Sequence, residues 1–287
     1  MTALACDSPG DDGGMPVASS GAVLPSKAVG SDPGGDPCNV WSNLSDDELL
    51  GRIHQTVSAD YRPIDVERDR GGELNRYVTA RRLMFTRIER RPSPNQGPHL
   101  AECVYTGTTA PAPQTAEPNR DLLNAEHLWP RSLMMDESRW PTLYAHQEAD
   151  IHALVPSIPR ANDARGNVPF GDVDSDENAE YAPSLLGVDR LGQRVMEVRR
   201  ERRGDVARAM FYFSARWGLA VGEVQEEVLK VWNRRDPPDE IERTRNQLVS
   251  AIQGNRNPFI DCPQLIDQIS NFRSFSSRDN ESNLPFP

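Results

Sequence analysis

From Trp41 onward, apolar residues recur at helical spacing in several separate windows. Ser45-Asp46-Asp47-Glu48 ahead of Leu49-Leu50 reads as a helix start, with Ser45 as N-cap and carboxylates in the first turn, where they meet the helix dipole. Residues 73–91 place Leu74, Tyr77, Val78, Leu83, Phe85 and Ile88 on apolar stripes and predict a further helix. Residues 204–219 and 221–235 read as strong helices. After the break at Pro237-Pro238, residues 239–253 are helical again, until Gly254-Asn255-Arg256-Asn257-Pro258 supplies Gly and Pro punctuation. Between these windows lie short β-like runs at 102–106, 124–130 and 150–156. A polar, helix-like turn follows at 157–167, and an acidic loop at 171–183. No internal repeat is visible. The pattern predicts an α+β chain, mostly helical, with a few strands in its middle.

Composition divides the chain. Residues 7–37 consist largely of Gly, Ser, Pro, Asp and Ala and cannot bury enough apolar surface to offset their ordering entropy, which predicts a disordered tether. The expected organisation is a tether over residues 1–40, a folded domain over 41–275 and a flexible tail over 276–287. Ala3-Leu4-Ala5-Cys6 resembles the end of a bacterial lipoprotein signal and makes Cys6 a candidate lipid anchor. No apolar run approaches the ~20 residues needed to cross a bilayer. The formal net charge of −11 speaks at first against a polyanionic partner. However, residues 1–50 hold eight acidic side chains against one lysine, and residues 51–287 carry only −4. The 73–91 helix is itself basic, with six arginines against two glutamates. Two readings of that helix stand: a solvated surface face, or a face that contacts phosphates through residues such as Arg81 and Arg82.

Several chemistries are excluded by their missing signatures. The five histidines form neither H-x-x-x-H nor H-E-x-x-H, and the four cysteines show no paired C-x-x-C. There is no G-x-S-x-G elbow and no G-x-x-x-x-G-K-[ST] loop. What stands out is Asn124-Ala125-Glu126-His127-Leu128-Trp129-Pro130. On an extended segment, adjacent Glu126 and His127 point to opposite faces, so one can hold a hard cation while the other meets a water and a substrate. The Asp150–Pro156 run and the polar turn with Asn162, Asp163, Arg165 and Asn167 follow. Two strands and a short helix bearing an amide oxygen are the layout of a small metal-binding finger.

At these residues the chain resembles the bacterial endonuclease I family, whose core is a ββα-metal, or His-Me, finger. The resemblance rests on Cys103-Val104-Tyr105-Thr106-Gly107, on Asn124 to Pro130, and on Asp150 to Asp172. It continues through Gly204-Asp205-Val206-Ala207-Arg208 and Gln253-Gly254-Asn255-Arg256-Asn257-Pro258-Phe259, so that it spans roughly residues 41–272. The chain departs from the family at Ala153, where His or Asn is frequent, and at Arg131, where Gln is common.

The resemblance implies that Glu126 and Asn162 ligate one divalent cation and that His127 is the general base. Mg²⁺ is the leading candidate, with Mn²⁺ or Ca²⁺ as alternatives, since a hard cation that keeps several waters needs few protein oxygens. It further implies an exported endonuclease that cuts DNA, and RNA as a second substrate, without sequence specificity and with 5′-phosphate ends. Arg165 is a candidate catalytic contact to phosphate, with an ion pair that holds the helix as the alternative. Asn167, Arg256, Arg81 and Arg82 are candidates for substrate binding, against a helix-termination role for Asn255, Arg256 and Asn257. Two other readings remain: a ribonuclease with little action on DNA, and a surface lipoprotein that binds nucleic acid without cutting it. His152 reads as structural, Tyr105 and Trp129 as core, and Asp205 with Arg208 as a helical pair. If Cys6 is lipidated, Cys38, Cys103 and Cys262 allow one disulfide, and the sequence does not choose the pair. The domain is expected to be a monomer.

Overall fold

A computed structural model describes residues 37–69, 71–93 and 95–273. Residues 1–36 of the expected tether, with the Cys6 anchor, and the C-terminal tail lie outside these residues; residues 37–40, expected in the tether, instead form a 3-10 turn with Trp41 that the Cys38 disulfide ties to the body. In chain order the elements are α1 (Asp46–Ala59), β1 (Glu67–Arg68), β2 (Leu74–Asn75), α2 (Arg76–Leu83), β3 (Leu100–Glu102) and β4 (Thr109–Pro111). Then come β5 (Asn124–His127), α3 (Pro141–Glu148), β6 (Leu154–Ser157), α4 (Pro159–Arg165), β7 (Ser175–Asn178), β8 (Leu185–Val188) and β9 (Arg194–Glu197). The chain closes with α5 (Arg203–Trp217), α6 (Glu223–Arg235), α7 (Glu240–Gln253) and the single turn α8 (Pro258–Asp261). The mixture of helices with short antiparallel sheets is an α+β fold.

Helix α5 is the axis of the body. A helix with one apolar stripe lies on a surface, whereas one buried on every side lies inside. Val206, Met210, Phe211, Tyr212, Phe213 and Trp217 are all buried, and the helix packs against α1, α6 and α8. Its charged residues follow it into the core. Arg208 meets Glu242 of α7 at 2.6 and 2.8 Å and also reaches the Asn233 side chain and the Asp236 carbonyl. The expected Asp205–Arg208 pair is present, but it is the weaker of the ion pairs that Arg208 makes. Asp205 stands 3.5 Å from Arg208 and forms its short bond, 2.7 Å, with Arg202. An arginine on an internal helix makes its short bonds with the carboxylate that packing delivers and a longer one with its neighbour in sequence.

Gly204, at the start of α5, is required by close approach, since a Cβ there would sit 1.9 Å from the Asp236 carbonyl oxygen. Gly254 ends α7 at φ +87°, and its Cβ would lie 2.1 Å from the Asp60 carbonyl oxygen.

Several expected elements shift. Ser45 occupies the N-cap of α1 in an extended conformation, but its side chain makes no capping bond. The single helix over 73–91 starts at Arg76, capped by the Asn75 side chain, and continues after Leu83 as a π-helical turn over Met84–Ile88. The strand expected at 102–106 lies at 100–102. Pairing with β4 turns the chain over residues 104–106, with Val104 and Tyr105 buried. The acidic loop contains β7, which pairs with β8, and β8 with β9. Helix α3 and the β8–β9 hairpin had no counterpart in the sequence reading. A disulfide joins Cys38 to Cys262, and Cys103 is free and buried.

Candidate functional site

Strands β5 and β6 pair antiparallel, with Glu126 opposite Val155 and His127 opposite Leu154, and α4 follows β6 directly. The second strand is shorter than expected, because Ile151–Ala153 forms a 3-10 turn and pairing begins at Leu154. This turn hangs from one carboxylate. Asp150 is buried and accepts from the His152 amide (3.2 Å), the Gln253 side chain (2.8 Å), the Tyr212 hydroxyl (3.1 Å) and the Trp217 indole (3.1 Å). His152 donates from Nε2 to the Asn255 carbonyl at 3.1 Å and packs on Tyr212, which makes it structural. The floor of the ββα unit is thereby tied to α5 and to the end of α7.

Glu126 and His127 find different neighbours, as adjacent residues on a strand must. Glu126 is 2% exposed, and its Oε1 accepts from the Tyr105 hydroxyl at 2.7 Å and from Arg165 Nη1 at 3.1 Å. Its Oε2 accepts no hydrogen bond among the described residues. Burial raises the Glu126 carboxyl above its usual range, and Arg165 and Tyr105 oppose that rise. From α4, Asn162 donates through Nδ2 to Asn124 Oδ1 and to the Ala125 carbonyl, both at 3.0 Å. Both partners are acceptors, which fixes the amide with its nitrogen toward β5 and leaves Oδ1 without a donor among the described residues. Two hard oxygens, one anionic and one neutral, thus remain uncommitted on facing elements.

On the other side of β5, His127 Nε2 lies 2.9 Å from the Glu148 carbonyl oxygen. A carbonyl can only accept, so Nε2 carries the proton and Nδ1 keeps the lone pair. The Tyr77 ring packs on the imidazole with centroids 5.0 Å apart. Burial, reinforced by Arg131 and Arg165, pushes the His127 pKa down to about 4. The ring is neutral at pH 7, which is the state a base requires.

The expected arginines fare differently. Arg165, a candidate for contact with phosphate, is 1% exposed. Besides Glu126, its guanidinium bonds the carbonyls of His127 (2.9 Å), Leu128 (2.7 Å) and Val168 (3.1 Å), and it stacks on Phe170. It occupies the bracing position, not a surface a substrate can reach. Arg81 is tied to Glu117 at 3.0 Å, Arg82 is paired with Glu67, and Arg256 forms a two-point pair with Asp261 at 2.6 and 2.7 Å. Asn167 is exposed just beyond α4 and makes no side-chain bond among the described residues. Gln253, Asn255 and Asn257 are buried and tie the end of α7 to the core, with Asn257 capping α8.

Sequence reasoning missed three contributors. Tyr105 is a core residue whose hydroxyl holds the Glu126 carboxylate. Tyr77 covers the histidine ring. Glu148 orients His127 through its backbone, so no side-chain signal could reveal it. Among the described residues, no three His, Cys, Asp or Glu side chains gather into a metal centre. A cation at this site would rest on one carboxylate and one amide oxygen with water, a donor set suited to Mg²⁺.

A strand–strand–helix unit here brings together a neutral histidine and two oxygen donors without hydrogen-bond donors of their own among the described residues. Residues 91–264 match the Endonuclease I family model, and the chain belongs to that family. It is 36% identical over 114 residues to a periplasmic deoxyribonuclease from Aeromonas hydrophila, a match covering 40% of this chain and 48% of that protein. It is 34% identical over 165 residues to an extracellular ribonuclease from Bacillus subtilis, covering 51% and 53% respectively. An extracellular deoxyribonuclease from Aeromonas hydrophila is 34% identical over 118 residues, covering 41% and 51%. The chain thus spans about half the length of the curated relatives it matches.

Proposed function

We propose that this chain is an exported endonuclease that hydrolyses phosphodiester bonds in DNA, and in RNA as a second substrate, without sequence preference. The observation that carries this reading is the pairing on one short strand of a Glu126 oxygen left open and a His127 Nδ1 left unprotonated. His127 Nδ1 takes the proton from the attacking water, while the Glu148 carbonyl holds the ring and stabilises the charge it gains. Glu126 and Asn162 would hold a divalent cation, Mg²⁺ first, which when bound supplies positive charge to offset that developing on the phosphate and on the 3′-oxygen. That oxygen departs with the electron pair of the broken P–O bond and takes a proton from solvent water, which leaves 5′-phosphate and 3′-hydroxyl ends. Tyr105 and Arg165 fix the Glu126 carboxylate, and Tyr77 keeps water from the covered face of the imidazole. Contacts to phosphate alone carry no sequence information, in keeping with a non-specific enzyme.

Export is supported by the relatives, which are periplasmic or extracellular proteins, and by a disulfide that an oxidising compartment favours. We take the protein to act as a monomer. The longer match to the Bacillus extracellular ribonuclease favours, as a second reading, an enzyme that prefers RNA. Plasmid DNA and a structured RNA, digested side by side with Mg²⁺ and with chelator and with His127→Ala as control, test both. Chelator-insensitive cutting, or full activity in the variant, overturns the mechanism.

A further inference from the structure

Arg131 begins the 3-10 turn that follows β5, two residues after Trp129 and four after His127. Its side chain is 54% exposed, yet two fixed partners hold it. Nε donates to the Tyr144 hydroxyl at 2.9 Å, and Nη2 lies 2.7 Å from Glu148 Oε1, with the guanidinium 5.9 Å from the centre of the Tyr144 ring. Nη1 makes no bond among the described residues. Glu148 joins this arginine to the base, since its carbonyl accepts from His127 and its carboxylate pairs with Arg131.

Two cations are joined to His127 by hydrogen bonds: Arg165 bonds its carbonyl, and Arg131 reaches its ring through Glu148. Arg165 is buried and committed to four protein oxygens. Arg81, whose guanidinium lies 5.4 Å from the centre of the Tyr77 ring, is locked to Glu117. Arg131 is therefore the cation beside the base that both reaches solvent and keeps donors in hand. A guanidinium anchored through Nε and one terminal nitrogen presents the other, Nη1, as a charge-assisted donor to a phosphate oxygen without further loss of side-chain freedom.

Building on the nuclease reading above, we propose that Arg131 is a substrate-binding residue, contacting a backbone phosphate of the nucleic acid next to the one being cut. Glu148 and Tyr144 act as its positioning partners.

The test uses a fluorescent 20-base-pair DNA duplex and the full chain in the His127→Ala background, so that binding is read without cutting. Arg131→Gln should weaken binding about tenfold at low salt. It should also reduce the slope of log Kd against log salt by about 0.9, the loss of one phosphate contact. Arg131→Lys should keep that slope. With the base restored, Arg131→Gln should raise KM more than it lowers kcat. An unchanged salt slope in Arg131→Gln overturns the inference. So does a fall in kcat and melting temperature with KM intact, which marks a brace for Glu148. If the unsubstituted chain neither binds nor cuts nucleic acid, the nuclease reading falls, and the inference with it.

Discussion

His127 and Glu148 are joined by a single bond, from an imidazole Nε2–H to a backbone carbonyl oxygen 2.9 Å away. This bond alone sets the tautomer, and with it the nitrogen that can accept a proton. His127→Ala should reduce cleavage by at least about 10²-fold, the lower range for loss of a general base. Duplex binding, measured by anisotropy, should stay within a few-fold of the parent. Cutting at the parental rate would remove His127 from the mechanism.

Tyr105 holds one oxygen of Glu126 and leaves the other open. Tyr105→Phe keeps the ring and deletes the hydroxyl. Outer partners of this kind typically alter metal affinity by about 10–100-fold, so Mn²⁺ binding followed by calorimetry should weaken about tenfold. Unaltered Mn²⁺ affinity would deny Tyr105 this role.

Arg165 and Arg256 both pair with carboxylates, but in different surroundings. Arg165→Ala leaves Glu126 buried without its cation and should cost about 3–5 kcal/mol of stability. Arg256→Ala breaks a partly exposed pair and should cost no more than about 1 kcal/mol. Urea denaturation at pH 7.5 compares them directly. Equal losses would contradict the assignment of Arg165 as a brace.

The Cys38–Cys262 bond closes a loop of 224 residues. Cross-links over long loops restrict the unfolded chain most, and removal of such a bond typically costs about 2–5 kcal/mol. Cys38→Ser should lower the melting temperature accordingly. In the native parent, Cys103 should resist alkylation until the chain is unfolded. Rapid labelling of Cys103 under native conditions would contradict its burial.

Acid should destabilise the fold through its buried histidines. Burial, aided by Arg245 and Arg256, pushes His152 down to about 3, and His146 is held at about 4 for the same first reason. In the unfolded chain both protonate near 6.5. Their contribution is complete above that pH and is lost as pH falls toward 4, by up to about 1.4 kcal/mol per unit for His152. Asp150, raised by burial, acts in the opposite sense at the acid end. Urea midpoints between pH 7.5 and 5 should decline; a flat profile would refute the assignment.

Much of the helical body was legible because apolar spacing reports burial. Helices α5, α6 and α7 lie within a few residues of their expected limits, α1 starts after Ser45 as expected, and Gly254 ends α7 where the punctuation placed it. The two strands and the helix around Glu126, His127 and Asn162 were readable from residue types in sequence. The partners were not. Glu242 lies 34 residues from Arg208, and Glu148 acts through an atom every residue possesses. The basic helix shows the same limit from the other side. Composition counted its arginines, but the carboxylates of Glu67, Glu102 and Glu117 that bind three of them come from distant segments.

Asp150 gives the site a property that no residue within it reveals. Four donors from three separate stretches of chain converge on one buried carboxylate at the foot of β6. The strand–strand–helix unit is consequently not portable. Excised from α5 and from Gln253, it would leave that charge without most of its donors and lose the surface that sets the height of β6 against β5. The helical body is part of the instrument that keeps His127 and Asn162 in register, and the site can be inherited or engineered only together with it.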